Sequence, residues 1–189
     1  MKSAIHCFGM VLLACVLLGL PSASATAQES KLPFRPVRNP AELPATALVE
    51  TSKGPFEIEF YREEAPVTVQ NFVHLAKSGF YNGLTFHRYV PGFVIQGGDP
   101  KGDGSGGPGY TIPGEYSNLE HRRGTVAMAR HSAQVNPERR SNGSQFYISL
   151  RRAAHLDGLY AVFARVINGM DVVEELRPSD KILRVMLPR

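Results

Sequence analysis

The chain has 189 residues, of which 43% are apolar and 20% charged, with 18 glycines and 14 prolines. These proportions are typical of one globular domain and exclude collagen-like, coiled-coil and wholly disordered chains. Lys and Arg together number 21 against 17 Asp and Glu, which gives a formal net charge of +4 without a run of five like charges. The surface is therefore mildly basic, and we expect no nucleic-acid partner.

Residues 1–27 have the pattern of a secretory signal peptide. Lys2 precedes an apolar run, Phe8 to Leu20, which is too short for a membrane span of about 20 residues. Two overlapping A-x-A patterns follow the run and predict cleavage after Ala25 or Ala27. We therefore expect no membrane span and a periplasmic or secreted mature protein.

An alternative for this leader is lipid attachment. The segment Leu12 to Cys15 resembles a lipoprotein box, which would leave Cys15 acylated, although Val16 to Leu20 is apolar where a polar tether would be expected. Both cysteines, Cys7 and Cys15, lie in the leader. A mature chain without thiols suits an oxidising compartment, and it excludes cysteine nucleophiles, CxxC redox chemistry and Cys-ligated zinc.

Residues 28–45 are predicted to form an extended linker. They contain four prolines among polar residues, and proline disfavours helix both at its own position and at the residue before it. The folded domain is predicted over residues 46–189, and this size is enough for a core without metal or disulfide support.

The folded part begins with a predicted β-hairpin, because two alternating runs flank Ser52, Lys53 and Gly54. Residues 65–78 then have the apolar spacing of a helix, with Pro66 suited to its first turn. The remaining predicted elements are strands near 85–89, 93–96, 124–129, 145–150, 161–166 and 181–187, and a second short helix near 170–176. Many short strands, two helices and no βαβ rhythm indicate a mainly β fold, a closed antiparallel barrel.

Motifs of common ligand sites are present but lack the context that they need. The stretch 102–109 matches G-x-G-x-x-G twice, yet prolines interrupt the chain where a dinucleotide site requires a helix. Asp99 and Asp103 suggest the start of a calcium loop, but Lys101 stands where a carboxylate is needed. The six histidines show no i, i+4 pair, so we expect no metal and no cofactor.

Four segments carry a more specific pattern: Phe86–Arg88, Pro91–Asp99, Ser141–Ile148 and Leu156–Gly158. In this order and at this spacing they resemble the signature segments of the cyclophilin family of peptidyl-prolyl cis/trans isomerases, and the likeness runs from about Ala47 to Leu187. The resemblance implies a closed eight-stranded antiparallel barrel capped by two α-helices, which agrees with the elements read from the pattern. It also implies catalysis of rotation about Xaa-Pro bonds.

This chemistry needs no covalent step. Amide resonance opposes rotation with a barrier of about 18–20 kcal/mol, and a positioned guanidinium is a suitable donor to the twisted amide. By the resemblance, Arg88 corresponds to the catalytic arginine, with Gln96 beside it as a polar partner for the substrate. The substrate-binding residues implied in the same way are Phe93, Val94, Ala129, Arg130, Gln145, Tyr147, His155, Leu156 and Tyr160. Of these, Ala129 and Arg130 are expected to bind the peptide through their backbones.

The chain departs from the family pattern at four of these positions. Tyr147 stands where many members have Phe, so its hydroxyl needs a partner if it is buried. Tyr160 replaces a pocket histidine and keeps an aromatic wall. His155 stands where cyclosporin-sensitive members have tryptophan, so weak cyclosporin binding is expected. Arg130 replaces the usual Asn, and its charge near Arg88 is expected to favour acidic residues flanking the proline.

The sequence therefore predicts an exported, monomeric isomerase that assists the folding of other exported proteins. Its predicted partners are Xaa-Pro segments of unfolded or partly folded exported proteins. The alternative is a non-catalytic proline-peptide-binding module, or holdase chaperone, on the same fold. The presence of both Arg88 and Gln96 favours the enzyme.

Overall fold

The computed structural model describes residues 32–188. One antiparallel sheet is built from β1 (Thr46–Thr51), β2 (Gly54–Phe60), β3 (Arg88–Val90), β4 (Val94–Gly97), β5 (Thr125–Met128), β6 (Phe146–Ser149), β7 (Val162–Asn168) and β8 (Ile182–Met186). The helices are α1 (Pro66–Lys77) and α2 (Met170–Glu175), with short 3-10 turns at Pro40–Glu42 and Ala154–Leu156. The predicted mainly β fold with eight antiparallel strands and two helices is confirmed. None of the described helices is long and apolar enough to cross a membrane.

The sheet is curled rather than fully closed. Its strand order is β3-β4-β6-β5-β7-β2-β1-β8, so β3 and β8 are the two edges. A single bridge, Thr85 to Lys181, and backbone hydrogen bonds between residues 84–86 and 179–182 connect these edges. The prediction of a closed barrel is corrected in this detail, because the chain before β3 meets β8 as a bridge and not as a paired strand.

The β1–β2 hairpin forms as predicted, with Thr46 opposite Glu59 and Thr51 opposite Gly54. Phe56, Ile58 and Phe60 are buried while the acidic residues between them are only partly covered. This alternation follows from the two-residue period of a strand. The hairpin therefore presents one apolar face to the interior.

Helix α1 is stabilised at its N-terminus by a side chain from a distant loop. Its N-cap residue, Ala65, makes no side-chain cap. Instead, the carboxylate of Glu115 accepts hydrogen bonds from the backbone N–H groups of Val67 and Thr68, at 3.0 and 2.7 Å, and from the Thr68 hydroxyl. An anion at this end of a helix satisfies free donors and suits the helix dipole. The loop that contains Glu115 is thereby attached to α1.

The described part of the N-terminal segment, residues 32–45, lies against α1. The side chain of Gln70 accepts from the backbone N–H of Val37 at 2.8 Å and donates to the carbonyl of Arg35 at 2.7 Å. Arg62 donates to the carbonyl oxygens of Ala41 and Leu43. The segment has no regular element beyond the 3-10 turn, and these contacts hold it to the surface of the domain.

Strands β4 to β7 divide their side chains between two apolar clusters. The larger one, here the main core, includes Ile95, Val126, Met128, Phe146, Ile148 and Phe163 from these strands together with the buried face of α1. The smaller one, here the pocket cluster, consists of Val94, Ala127, Tyr147 and Val162. Each residue of the pocket cluster is the immediate neighbour of a residue of the main core, so the two clusters occupy opposite faces of the same strands.

Candidate active site

A cavity of about 330 Å³ opens over the pocket cluster. It is lined by Arg88, Phe93, Val94, Gln96, Ala129, Arg130, Tyr147, Leu156 and Tyr160. Nine of the eleven residues predicted from the sequence therefore line one cavity. The other two are next to it: Gln145 bonds to Gln96, and the ring of His155 stacks on Phe93 at 5.5 Å.

The polar side of the cavity is a row of three side chains. Arg88 lies opposite Gln96 in the β3–β4 ladder, and its Nη1 is 3.4 Å from Gln96 Oε1. Gln96 Nε2 donates to Gln145 Oε1 at 2.9 Å. Because the amide of Gln96 donates to Gln145, its oxygen is directed towards the guanidinium. This arrangement keeps a permanent cation at the edge of an apolar pocket.

Gln145 connects this row to the glycine-rich loop. It is buried, and its Nε2 also donates to the carbonyl oxygens of Gly104 and Gly106 at 2.9 and 2.8 Å. Glycine is required at 106, since a Cβ there would overlap the carboxylate of Asp99. The loop therefore fixes the position of Gln145 through its backbone carbonyl groups.

Asp99 organises this loop from inside. Its carboxylate accepts from the backbone N–H groups of Lys101, Asp103 and Gly104 at 2.6 to 3.1 Å. Burial alone would raise the pKa of Asp99, but these backbone donors hold it below its usual value. The described residues contain no group of three or more His, Cys, Asp or Glu side chains placed to hold a metal ion.

The apolar side of the cavity is mostly aromatic. The rings of Tyr147 and Tyr160 meet edge to face at 5.7 Å, and Phe93 and His155 stack nearly parallel. Val94 forms part of the buried floor. Such a set of flat rings suits a small apolar ring such as that of proline.

The hydroxyl of Tyr147 has a partner that the sequence did not reveal. Tyr147 Oη lies 2.9 Å from Nε2 of the fully buried His121, whose Nδ1 is 3.1 Å from Asp157 Oδ1. A carboxylate can only accept, so Nδ1 carries the proton and Nε2 accepts from Tyr147. The proton of Tyr147 therefore points away from the cavity. The partner that a buried Tyr147 hydroxyl needs is therefore supplied within the fold.

Burial keeps His121 in its neutral form. Burial lowers the pKa of His121, and the hydrogen bond to Asp157 only partly opposes this effect. Asp157 also accepts from Arg152 at 2.6 Å, and this bond is the main reason why the pKa of Asp157 lies well below its usual range. The result is a neutral imidazole between a tyrosine and a carboxylate that stays ionised.

Pattern reasoning missed His121 because its partners are 26 and 36 residues away. The one available signal was the buried hydroxyl expected at Tyr147, which required a partner. A buried histidine can be that partner, but the spacing of histidines in the sequence does not show which of them is buried.

The backbone around Ala129 differs from the expectation. Its N–H donates to the carbonyl of Gln145, and its carbonyl accepts from Asn142, both at 2.9 Å. The N–H of Ala129 is therefore already used inside the fold. The N–H and C=O of Arg130, by contrast, make no hydrogen bond to another described residue.

Comparison with known proteins gives consistent matches. Residues 46–184 match the family described as "Cyclophilin type peptidyl-prolyl cis-trans isomerase/CLD". The chain is 46% identical over 143 residues to a peptidyl-prolyl cis-trans isomerase of Synechococcus elongatus, covering 75% of this chain and 94% of that protein. It is 43% identical over 129 residues to peptidyl-prolyl cis-trans isomerase B of Bacillus subtilis, covering 68% and 87%.

A solved structure shares the fold. A cyclophilin type peptidyl-prolyl cis-trans isomerase of Cryptosporidium parvum, crystallised in the presence of the dipeptide Ala-Pro, superimposes with a TM-score of 0.69 at 30% identity. The superposition covers 76% of this chain and 99% of that one.

Proposed function

Because this chain belongs to the cyclophilin family and is a peptidyl-prolyl cis-trans isomerase, we propose that Arg88 is its catalytic donor and that its substrates are Xaa-Pro segments of exported proteins. The observation that carries the catalytic proposal is the row Arg88–Gln96–Gln145 beside an aromatic cavity.

Catalysis follows from holding the proline and stabilising the twisted bond. The aromatic wall and Val94 bind the ring, while Arg88 reaches the amide at the cavity edge. Rotation breaks the resonance of the C–N bond, which leaves a lone pair on the nitrogen that a guanidinium N–H can meet. A donor that is already oriented stabilises this state without reorganisation. No bond is made or broken, so no cofactor is needed for the step.

Proline binding is supported from two sides. The cavity is apolar where the ring would lie, with Phe93, Tyr147 and Tyr160 around it. The Cryptosporidium parvum cyclophilin was crystallised with a dipeptide that ends in proline. We therefore assign Ala129, Arg130, His155 and Leu156 to the rim over which the rest of the peptide passes.

The decisive experiment compares Arg88→Ala with the unchanged protein on a short Xaa-Pro peptide, by NMR exchange or a protease-coupled assay. We expect kcat/KM to fall by about 10²–10³, the size expected on losing one oriented donor. The melting temperature should be nearly unchanged, since Arg88 is exposed. Arg184→Ala, an exposed arginine on β8, is the control and should keep the full rate. An equal rate for Arg88→Ala would reject the assignment.

The export proposal depends on residues 1–27, which lie outside the described residues, as do both cysteines. It is supported by the signal-peptide pattern and by a mature chain without thiols. Mass spectrometry of the protein from its native cells tests it. A free N-terminus near Thr26 or Gln28 supports cleavage and release, and an acylated Cys15 supports a membrane-attached form. An intact Met1 in the cytoplasmic fraction would reject export.

A further inference from the structure

The arginines near the cavity have no carboxylate partner among the described residues. Five arginines elsewhere form ion pairs with a carboxylate at 2.6 to 2.7 Å: Arg122, Arg123, Arg152, Arg165 and Arg184. Arg88, Arg130 and Arg139, by contrast, form no ion pair with any described residue. The lining of the cavity itself contains two arginines and no acidic side chain. The site therefore carries positive charge that its immediate surroundings do not neutralise.

The guanidinium of Arg130 is held in place by neutral groups. Its Nε donates to the carbonyl of Leu159 and its Nη1 to that of His131, both at 3.0 Å. Its Cζ lies 4.7 Å above the ring of Tyr160, a cation–π contact. Carbonyl dipoles and a ring orient a cation without cancelling its charge. The Nη2 group has no hydrogen bond to a described residue and remains open to a ligand.

Arg139 contacts the same short segment as Arg130. Its Nη2 donates to the carbonyl of Gly158 at 3.4 Å, and its Cζ is 4.6 Å from the centre of the Tyr116 ring. The carbonyls of Gly158 and Leu159 are consecutive, so both guanidinium groups bind the same two-residue segment. Glu138 precedes Arg139 in this loop but is exposed and forms no ion pair with a described residue.

The two charges of the cavity stand at opposite ends of its floor. The strand order β3-β4-β6-β5 places Arg88 at one end and Arg130, which follows β5, at the other. Val94 and Tyr147 lie on the two strands between them. A proline ring seated on this floor leaves its flanking residues close to one cation or the other.

We propose that the site selects Xaa-Pro segments with an Asp or Glu within two residues of the proline, and that Arg130 and Arg139 bind this carboxylate. The inference rests on the proposed function, because it requires the peptide to lie across this cavity. Both guanidinium groups are already restricted by their contacts, so little conformational freedom is lost on binding. A carboxylate held by oriented arginines forms charge-assisted hydrogen bonds, which are stronger than those between neutral groups.

The test measures kcat/KM for pairs of short peptides that differ only in Glu against Gln, placed in turn at each of the two positions before and after the proline. At one position at least, the unchanged protein should prefer Glu by about fivefold, the size of a favourable pair at the surface. This preference should fall by half or more in 0.5 M salt, because the Debye length is then only about 4 Å. In Arg130→Gln/Arg139→Gln the ratio should approach one.

The control is Arg184→Gln, which removes the same charge from β8 and should keep the full Glu/Gln ratio. A ratio of one at every position in the unchanged protein overturns the inference, and so does a ratio that survives in the double variant. If the double variant does not fold, Arg139→Gln and the salt dependence of the unchanged protein still decide. Failure of the proposed function would look different. In that case the unchanged protein would turn over the Gln peptides no faster than Arg88→Ala does.

Discussion

The main core and the pocket cluster are built on opposite faces of the same strands, yet they are organised differently. In the main core, Phe60, Phe72, Tyr81, Phe146 and Phe163 pack ring against ring, with centroids 4.9 to 6.5 Å apart. The pocket cluster has only four buried members, and the aromatic residues packed against it, Phe93 and Tyr160, are only partly buried. One face is filled by its own side chains, whereas the other leaves room for a ring from another molecule.

The two regions also differ in polarity. Behind the pocket cluster stands the series Tyr147–His121–Asp157, which ends on the exposed pair with Arg152. A buried polar series of this kind is stable only when each member has a partner. The comparison shows how one sheet serves two purposes. Alternate residues along each strand point to opposite faces, so one set stabilises the fold and the other set forms a binding surface.

The largest expected effect tests the main core. Phe72→Ala removes the ring that contacts four other rings, and it should lower the free energy of unfolding by about 3–5 kcal/mol. Urea denaturation measures this, and kcat/KM per folded molecule should stay within a few-fold of the original. Leu183→Ala, at a half-exposed position of β8, should cost far less. A large loss of activity in folded Phe72→Ala would show that the two faces are not independent.

Gly98 follows β4, and its close contact with the backbone of Ser144 affects both the main core and the cavity. It has a φ of +83°, and a Cβ would overlap the carbonyl oxygen of Ser144. Gly98→Ala should therefore cost about 2–3 kcal/mol of stability and, unlike Phe72→Ala, should also reduce kcat/KM. In Gly92→Ala, with φ of +64° and open space around it, the cost should be about 1 kcal/mol. Equal losses of stability in Gly98→Ala and Gly92→Ala would show that the close contact at Gly98 adds no cost.

Tyr147→Phe sharpens the comparison from the pocket side. The ring remains, but Nε2 of the buried His121 loses its donor, so the free energy of unfolding should fall by about 1–3 kcal/mol. The isomerase rate should change by only a few-fold. Tyr160→Phe is the matched control, because its hydroxyl has no hydrogen bond to a described residue, and it should be nearly neutral. Equal stability losses for the two variants would reject the role given to the His121 bond.

Acid should weaken the polar series in two steps. His121 is neutral when folded because its pKa is below the ordinary 6.5, so the unfolded chain binds more protons and stability falls as the pH drops through about 6.5. The pKa of Asp157 is also lowered from 3.8, so its contribution is present above about pH 4 and is lost below that value. A plot of melting temperature against pH, measured by thermal unfolding between pH 7 and 5, should have a shallower slope for His121→Gln than for the unchanged protein. The exposed His131→Gln should keep the original slope; a slope equal to that of His121→Gln would contradict this account.

The smallest expected effect concerns the rim. His155 stacks on Phe93 where cyclosporin-sensitive members have tryptophan. His155→Trp should tighten cyclosporin binding by about five- to tenfold, through added apolar contact and an indole donor. Titration calorimetry measures this against Arg151→Gln, an exposed neighbour that should change nothing. Unchanged affinity for His155→Trp would show that position 155 does not determine the affinity for cyclosporin.

Much of the fold could be predicted from local patterns. The hairpin and α1 followed from two-residue and helical spacing, because each buries one face of a local element. The cavity followed from four short segments in a known order. What remained hidden depends on contacts distant in sequence: the bond from Tyr147 to His121, the cap that Glu115 gives α1, and the open edge between β3 and β8. No local spacing encodes such contacts, since the rest of the fold determines which side chains meet.

The attachment of residues 32–45 to α1 has a practical consequence. Val37 and Arg35 bond to Gln70 on the helix side of the sheet, whereas the cavity opens on the other side. A tag, resin or surface joined upstream of residue 32 would therefore attach to the side of the protein opposite the cavity. Immobilisation through the N-terminus would thus leave the cavity of this enzyme accessible to large, unfolded chains.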